Sequence, residues 1–152
     1  MDPVRLIARS ALGAIFISGG LETLRSPGPP AKMAAPVTDK ARETASFLPD
    51  DNEQLVRING GVHVAAGSLL VLGKLPRISA LVLAGSLIPT TLGGHRFWEA
   101  PDDEGKKMQQ LQFTKNLAMF GGLIFAALDR KGNPSLGWRA RRAAKRLPVG
   151  SS

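Results

Sequence analysis

The sequence predicts an all-α fold: an integral membrane four-helix transmembrane bundle with up-down-up-down order. Three observations support this fold class. The 152 residues contain four apolar stretches, and the third and fourth lack the polar face of a soluble helical bundle. Each stretch carries a Gly-Gly pair, and small residues allow membrane helices to pack closely. The charged residues lie mostly between the stretches.

The first predicted helix covers residues 5–24. About 20 residues with a rise of 1.5 Å each span about 30 Å, the thickness of the hydrocarbon layer. Arg5 and Arg9 lie near its start, where long basic side chains reach the membrane surface. Arg9 interrupts the apolar core that a signal peptide needs, and no A-x-A-like cleavage site follows. We therefore predict a retained transmembrane helix.

The longest connection covers residues 25–54. Its proline-rich run, residues 26–30, predicts a break between helices. Residues 38–47 fit either a short interfacial helix capped by Thr38 or a solvated loop, and both alternatives stay open. The run Pro49-Asp50-Asp51-Asn52 provides side chains that can cap the next helix.

The second, third and fourth helices are predicted at residues 55–72, 77–94 and 111–128, each about 18 residues long. A tight turn at residues 73–76 joins the second to the third. Pro89 removes a hydrogen bond from the carbonyl of Gly85, and Ser86, Thr90 and Thr91 are placed to absorb that defect. Residues 1–130 thus form a transmembrane domain, and residues 131–152 a basic cytoplasmic tail.

The formal charge is +8, and the chain has no cysteine. The bases are concentrated after the fourth helix, which is typical of a cytoplasmic segment beside anionic lipid and not of a nucleic-acid-binding protein. Both termini are therefore predicted in the cytoplasm. Without cysteine there is no disulfide and no thiolate ligand, and no His or carboxylate spacing indicates a metal site. His63 and His95 differ in predicted depth by about 14 Å, which is too far for one bis-His haem.

A polar layer is predicted near the outer face, from residues counted along each helix. Its candidate ligand-binding residues are Glu22, Arg57, Asn59, His95, Lys115 and Asn116. One hypothesis is a pocket for an anion or a quinone carbonyl, with Glu22 paired to Arg57 or Lys115 and aromatic rings at its rim. In the alternative, the side chains of Arg57 and Lys115 extend to the outer membrane surface, and Glu22 lies at the membrane interface without a binding role. His63 is predicted to be a packing or hydrogen-bonding residue.

Helix packing is assigned to the four glycine pairs, which are Gly19, Gly20, Gly60, Gly61, Gly93, Gly94, Gly121 and Gly122.

Each of the four predicted helices contains a motif. The first helix contains Arg9-x-x-Leu12-Gly13-x-x-Phe16-x-x-Gly19-Gly20, and the second contains Arg57-x-Asn59-Gly60-Gly61. The third and fourth contain Pro89-Thr90-Thr91-x-x-Gly94-His95-x-Phe97-Trp98 and Phe113-x-Lys115-Asn116-x-Ala118-x-x-Gly121-Gly122-Leu123. As a set, these motifs resemble the DoxX family. The resemblance, which fits the actinobacterial type, implies a multi-pass protein of the bacterial cytoplasmic (inner) membrane in a redox system. It carries over no catalytic residue.

Three functions follow from the sequence and the resemblance. The leading one is a non-catalytic subunit or scaffold of a membrane-associated redox or oxidative-stress assembly, whose basic tail recruits a protein partner or anionic lipid. The second is a quinone-linked oxidoreductase component with its pocket in the outer leaflet, which is the activity expected if the chain is an enzyme. The third is a carrier of a small molecule or lipid. Quinone is the one candidate cofactor that these functions call for, and membrane lipids and protein partners are the expected partners.

Overall fold

The computed structural model describes residues 3–45 and 47–129. Within them lie five α-helices: α1 (Pro3–Arg25), α2 (Gly28–Thr44), α3 (Asn52–Val71), α4 (Pro76–Gly94) and α5 (Asp103–Leu128). A short 3₁₀ helix, Phe97–Glu99, follows α4. No strand occurs in these two ranges, so the predicted all-α class is confirmed. The predicted basic tail, residues 131–152, lies outside the described residues.

Three helices are long and apolar enough to cross a membrane: α1, α4 together with the 3₁₀ helix after it, and α5. α3 has the length, with 20 residues, but polar side chains such as Glu53, Gln54 and Arg57 occupy its first two turns. Its remaining turns are rich in Gly, Ala, Val and Leu, and they pack against α1 and α4. The chain is thus a helical membrane protein built on a bundle of α1, α3, α4 and α5.

These four helices run antiparallel to their neighbours, as the predicted up-down-up-down order requires. Gly13 lies against Gly67, and Gly20 lies against Gly60, so α1 and α3 run in opposite directions. Side-chain hydrogen bonds join Asn59 to Thr90 and His63 to Ser86 across α3 and α4. Others join Asn116 to Thr91 and Gln109 to His95 across α5 and the end of α4. The core sits where the helices meet, around Phe16, Leu70, Leu83, Leu87 and Leu123.

The contact between α1 and α3 depends on four glycines in a seven-residue register. A Cβ at Gly20 would lie 2.6 Å from the carbonyl oxygen of Gly60, and one at Gly13 would lie 2.8 Å from that of Gly67. Spacing by seven residues keeps one face toward the partner helix, as in a coiled coil. The two backbones therefore touch directly at both levels, which only glycine allows.

Only one member of each Gly-Gly pair packs a helix, which corrects the prediction that both do. Because adjacent helical residues point about 100° apart, one glycine of a pair faces the neighbouring helix and the other does not. A Cβ would meet another helix at Gly20, Gly60, Gly93 and Gly122. It would meet nothing within 4 Å at Gly19, Gly61, Gly94 and Gly121.

Helix α2 differs most from the prediction. The proline-rich run interrupts the helical structure only at Ser26-Pro27. Pro29 and Pro30 lie in the first turn of α2, where a backbone nitrogen has no hydrogen-bond partner within the helix, so proline loses nothing there. Thr38 lies inside this helix and donates to the carbonyl of Ala35, so it is not an N-cap. α2 packs against α3 and α4.

The end of α2 is fastened to the start of α3. Arg42 donates from Nε to the carbonyl of Pro49 over 2.8 Å, pairs with Asp39 over 2.6 Å, and hydrogen bonds to the side chain of Asn52. Thr38 contacts the same Asn52 oxygen. Asp51 caps α3 by accepting a hydrogen bond from the backbone of Glu53 over 2.8 Å, as the sequence predicted.

The bounds of α1, α3 and α4 follow the prediction closely, whereas those of α5 do not. The predicted tight turn between α3 and α4 is present, with Gly73 at φ 67° and Leu75 at φ 50°. α5 begins at Asp103, capped by Asp102, whereas the predicted fourth helix begins at residue 111. The difference arises because the first turns of α5 are polar, and hydropathy marks the lipid-embedded segment rather than the start of the helix.

Candidate functional site

A cavity of about 580 Å³ lies between the helices. Its walls come from the C-terminal halves of α1 and α4, the first three turns of α3, the middle of α5 and one face of α2. Most of the lining is apolar, including Phe16, Val37, Leu55, Leu87 and Met119. This size, and an apolar wall with a few polar groups, are typical of sites for small organic ligands.

Polar side chains of α4 hold those of α3 at the wall of the cavity. The hydroxyl of Thr90 donates to the carbonyl of Ser86 over 2.8 Å, so the amide of Asn59 must donate to Thr90, over 3.2 Å. The hydroxyl of Ser86 likewise donates to the carbonyl of Leu83, so Nε2 of His63 donates to Ser86, over 3.0 Å. These bonds leave the side-chain oxygen of Asn59 and Nδ1 of His63 as acceptors.

α5 supplies a further part of the wall. Asn116 is buried and donates from its amide to the hydroxyl of Thr91 over 3.0 Å. His95 follows α4, and its Nδ1 hydrogen bonds to the Gln109 side-chain oxygen over 2.9 Å. Since that oxygen can only accept, Nδ1 carries the proton, and Nε2 of a neutral His95 is an acceptor. Lys115 also lines the cavity, and no hydrogen bond or ion pair within the described ranges engages its ammonium group.

The cavity therefore gathers four of the six predicted ligand-binding residues: Asn59, His95, Lys115 and Asn116. Among the residues that line it, Lys115 carries the one formal charge, and there is no carboxylate. Two carboxamides provide both donors and acceptors, because each has one N–H in a hydrogen bond to threonine and keeps an N–H and an oxygen. A small molecule with carbonyl or hydroxyl groups, uncharged or anionic, fits this chemistry.

Glu22 and Arg57 do not line the cavity, which corrects their assignment to a shared pocket. Both are exposed, and in the described part of the chain Glu22 makes no ion pair with Arg57 or Lys115. Arg57 instead donates to the backbone carbonyl of Leu24 over 3.3 Å. The reason is rotation about the helix axis: residues 13, 16 and 20 of α1 face the bundle, and position 22 lies on the other side.

Aromatic rings cluster beside the cavity rather than in its wall. Phe97, Trp98 and Phe113 form three edge-to-face contacts with centroid separations of 5.1, 5.5 and 6.2 Å. Trp98 is half-exposed in the 3₁₀ helix after α4, where an amphipathic ring suits the membrane interface. This cluster connects the segment after α4 to α5.

Sequence reasoning missed three features of the site. His63 was predicted as a packing residue; it does pack edge-to-face on Phe16, at 5.2 Å, but it also lines the cavity. The wall formed by α2, with Met33, Val37 and Thr38, was missed because its prolines obscured the helix. Thr90 and Thr91 were tied only to the Pro89 defect, although both accept hydrogen bonds from asparagines of neighbouring helices.

The fold and the cavity define a class: a multi-pass helical membrane protein with a mostly apolar site between its helices. Residues 4–96 match the family model of DoxX, which covers more than half of the chain. The chain therefore belongs to the DoxX family, as the motifs of its helices indicated. No curated protein and no solved structure matches it significantly.

Proposed function

We propose that this protein is a quinone-binding subunit of a membrane-associated redox or stress-defence assembly. The observation that carries the proposal is the cavity, an apolar volume of about 580 Å³ with two asparagine side chains and two histidines at its wall. A quinone is a flat apolar ring whose two carbonyls accept hydrogen bonds, and a quinol donates from two hydroxyls. The carboxamides of Asn59 and Asn116 can donate hydrogen bonds to the quinone carbonyls and accept them from the quinol hydroxyls.

The subunit is proposed to bind the quinone and not to supply electrons itself. The chain has no cysteine, and in the described ranges no three His, Asp or Glu side chains are grouped to hold a metal ion. A partner in the assembly would provide the electron donor or acceptor. The basic tail is the proposed recruiting element for that partner or for anionic lipid.

The proposed location is the bacterial cytoplasmic membrane with both termini in the cytoplasm. Support comes from the positive-inside rule, since seven bases and one acid occupy residues 129–146. In this orientation, the cavity lies in the outer half of the bilayer, because it is formed by the later turns of α1 and α4.

Direct ligand binding tests the proposal. The purified full chain in a non-ionic detergent is titrated with a short-chain quinone, and heat or retained ligand is measured. Asn59→Ala should weaken binding about tenfold, because one hydrogen bond in an apolar site contributes about 1.4 kcal/mol. Gln110→Ala is the matched control, since Gln110 is an exposed amide on α5 outside the cavity.

A naphthalene analogue without carbonyls separates this function from a general lipid or small-molecule carrier. The proposal predicts that the analogue binds at least tenfold more weakly than the corresponding quinone. Equal binding of both compounds, or equal binding by Asn59→Ala and the unsubstituted protein, would mean that the cavity recognises shape alone. In that case the quinone assignment is wrong.

A further inference from the structure

A second polar site lies at the opposite end of the bundle, where α1 and α4 begin and α5 ends. Three arginines from two helices converge on one residue, Asp129. Nε of Arg5 lies 3.0 Å from Oδ2 of Asp129, and Nη2 of Arg9 lies 3.7 Å from the same oxygen. Nε of Arg77 donates to the Asp129 backbone carbonyl over 3.0 Å.

Arg9 is the central residue of this arginine cluster. Its side chain is nine-tenths buried, and it lies over the turn after α3, since a Cβ at Gly73 would be 3.3 Å from its Nη1. Within the described residues it makes no hydrogen bond, and its ion pair to Asp129 is long. A buried guanidinium needs closer compensation, because five N–H donors must be satisfied away from water.

Arg9 and Arg77 have little negative charge close to them. Within the described residues, the ion pair of Arg9 is its 3.7 Å contact with Oδ2 of Asp129, an oxygen that also pairs with Arg5. Arg77 uses a backbone carbonyl, which carries only a partial negative charge. The cluster is therefore complementary to a further anion.

We infer that this arginine cluster binds a phosphate group, supplied by the head group of an anionic phospholipid. Guanidinium groups match phosphate oxygens in paired hydrogen bonds, which lysine cannot reproduce. The cluster lies at the ends of three helices that cross the membrane, so a lipid head group reaches it while its acyl chains remain beside α1 and α5. The site is separate from the cavity, whose lining it does not share.

The test measures lipid binding to the delipidated full chain in non-ionic detergent, by native mass spectrometry or thermophoresis. Phosphatidylglycerol, phosphatidylcholine and inorganic phosphate are titrated in separate arms. Phosphatidylglycerol should bind at least tenfold more tightly than phosphatidylcholine. Arg77→Gln should lose about tenfold of that affinity, because a charge-assisted hydrogen bond is removed. Arg77 is exposed, so this variant should fold normally.

Arg57→Gln is the matched control. Arg57 is also exposed and also donates to a backbone carbonyl of another helix, but it lies at the other end of the bundle. Its substitution should leave phosphatidylglycerol affinity unchanged. Arg9→Gln should abolish the preference, provided that its unfolding temperature shows a folded protein.

Two results would overturn the inference. If Arg77→Gln and Arg57→Gln bind phosphatidylglycerol equally well, the basic residues after Asp129 or general charge account for binding. If inorganic phosphate binds as tightly as phosphatidylglycerol, the source of the phosphate is not a lipid. Both variants retain the same basic tail, so a loss specific to Arg77→Gln or Arg9→Gln supports the cluster itself.

Discussion

The two glycines of one pair should respond oppositely to the same substitution. In Gly20→Ala the new methyl group would lie 2.6 Å from the carbonyl oxygen of Gly60 and 2.9 Å from Cγ2 of Val64. Ordinary contact begins near 3.4 Å, so α1 and α3 would have to separate by nearly 1 Å. In Gly19→Ala the methyl group meets nothing within 4 Å.

The magnitude follows from two opposing effects. Alanine stabilises a helix by about 1 kcal/mol relative to glycine, and this gain applies equally at both positions. Overpacking a close contact costs about 1–3 kcal/mol, and this cost applies only at Gly20. The free energy of unfolding of Gly20→Ala should therefore be about 1–3 kcal/mol below that of Gly19→Ala.

Unfolding of the full chain in mixed detergent micelles, followed by circular dichroism, measures this difference. The unsubstituted protein should lie between the two variants or close to Gly20→Ala. The pair Gly60→Ala and Gly61→Ala repeats the comparison on α3, since only Gly60 has a close neighbour. If Gly19→Ala destabilises the protein as much as Gly20→Ala, the α1–α3 packing described above is wrong.

Three further substitutions test other contacts. Asp51→Ala removes the N-cap of α3 and should lower the free energy of unfolding by about 1 kcal/mol, whereas Asp50→Ala, next to it and exposed, should have no effect in the same unfolding measurement. Arg42→Gln loses the bonds that fasten α2 to the start of α3, so hydrogen exchange measured by mass spectrometry should accelerate in α2 and not in α5. Asn116→Leu leaves the Thr91 hydroxyl without its donor and should cost about 1–3 kcal/mol of stability. It should also weaken quinone binding by about tenfold or more, and unaltered unfolding and binding would contradict the site.

Apolar length made the bundle predictable. The first and last residues of the first, second and third predicted helices lie within three residues of the bounds of α1, α3 and α4, respectively. The agreement arises because lipid thickness limits the length of an apolar segment. The same reasoning could not find the start of α5, whose first turns are polar and lie beyond the apolar stretch. It also could not find α2, a helix of low apolar content that contains Pro36.

The estimated depth of each residue predicted four of the residues that line the cavity. The direction in which a residue points around its helix axis decides whether it lines the cavity at all. Asn59, His95, Lys115 and Asn116 line one cavity at a shared level, as counting residues indicated. Glu22 lies at a similar level but on the other side of α1. The spacing of Gly13, Phe16 and Gly20 marks the packed face of α1. This spacing is visible in the sequence and places Glu22 off the packed face, whereas an estimate of depth alone does not.

The seven-residue register of α1 and α3 is the clearest signal in the sequence that pairwise glycine reasoning overlooked. Gly13 and Gly20 repeat at the same interval as Gly60 and Gly67, and in the structure the first lies against the last. A Gly-Gly pair indicates only that one of its two glycines can face a neighbouring helix. The seven-residue spacing indicates which of the two faces that helix, because a heptad spacing selects a single helix face.

Photolabelling tests the central claim, that the cavity between the helices holds a quinone. A short-chain azidoquinone is activated with the full chain in lipid nanodiscs, and labelled residues are located by mass spectrometry. The proposal predicts labels at cavity positions such as Val37 on α2 and Met119 on α5, and their loss with excess unlabelled quinone. Labels confined to exposed residues such as Leu117 and Phe125, and unaffected by competition, would show that quinone contacts the protein only from the surrounding lipid.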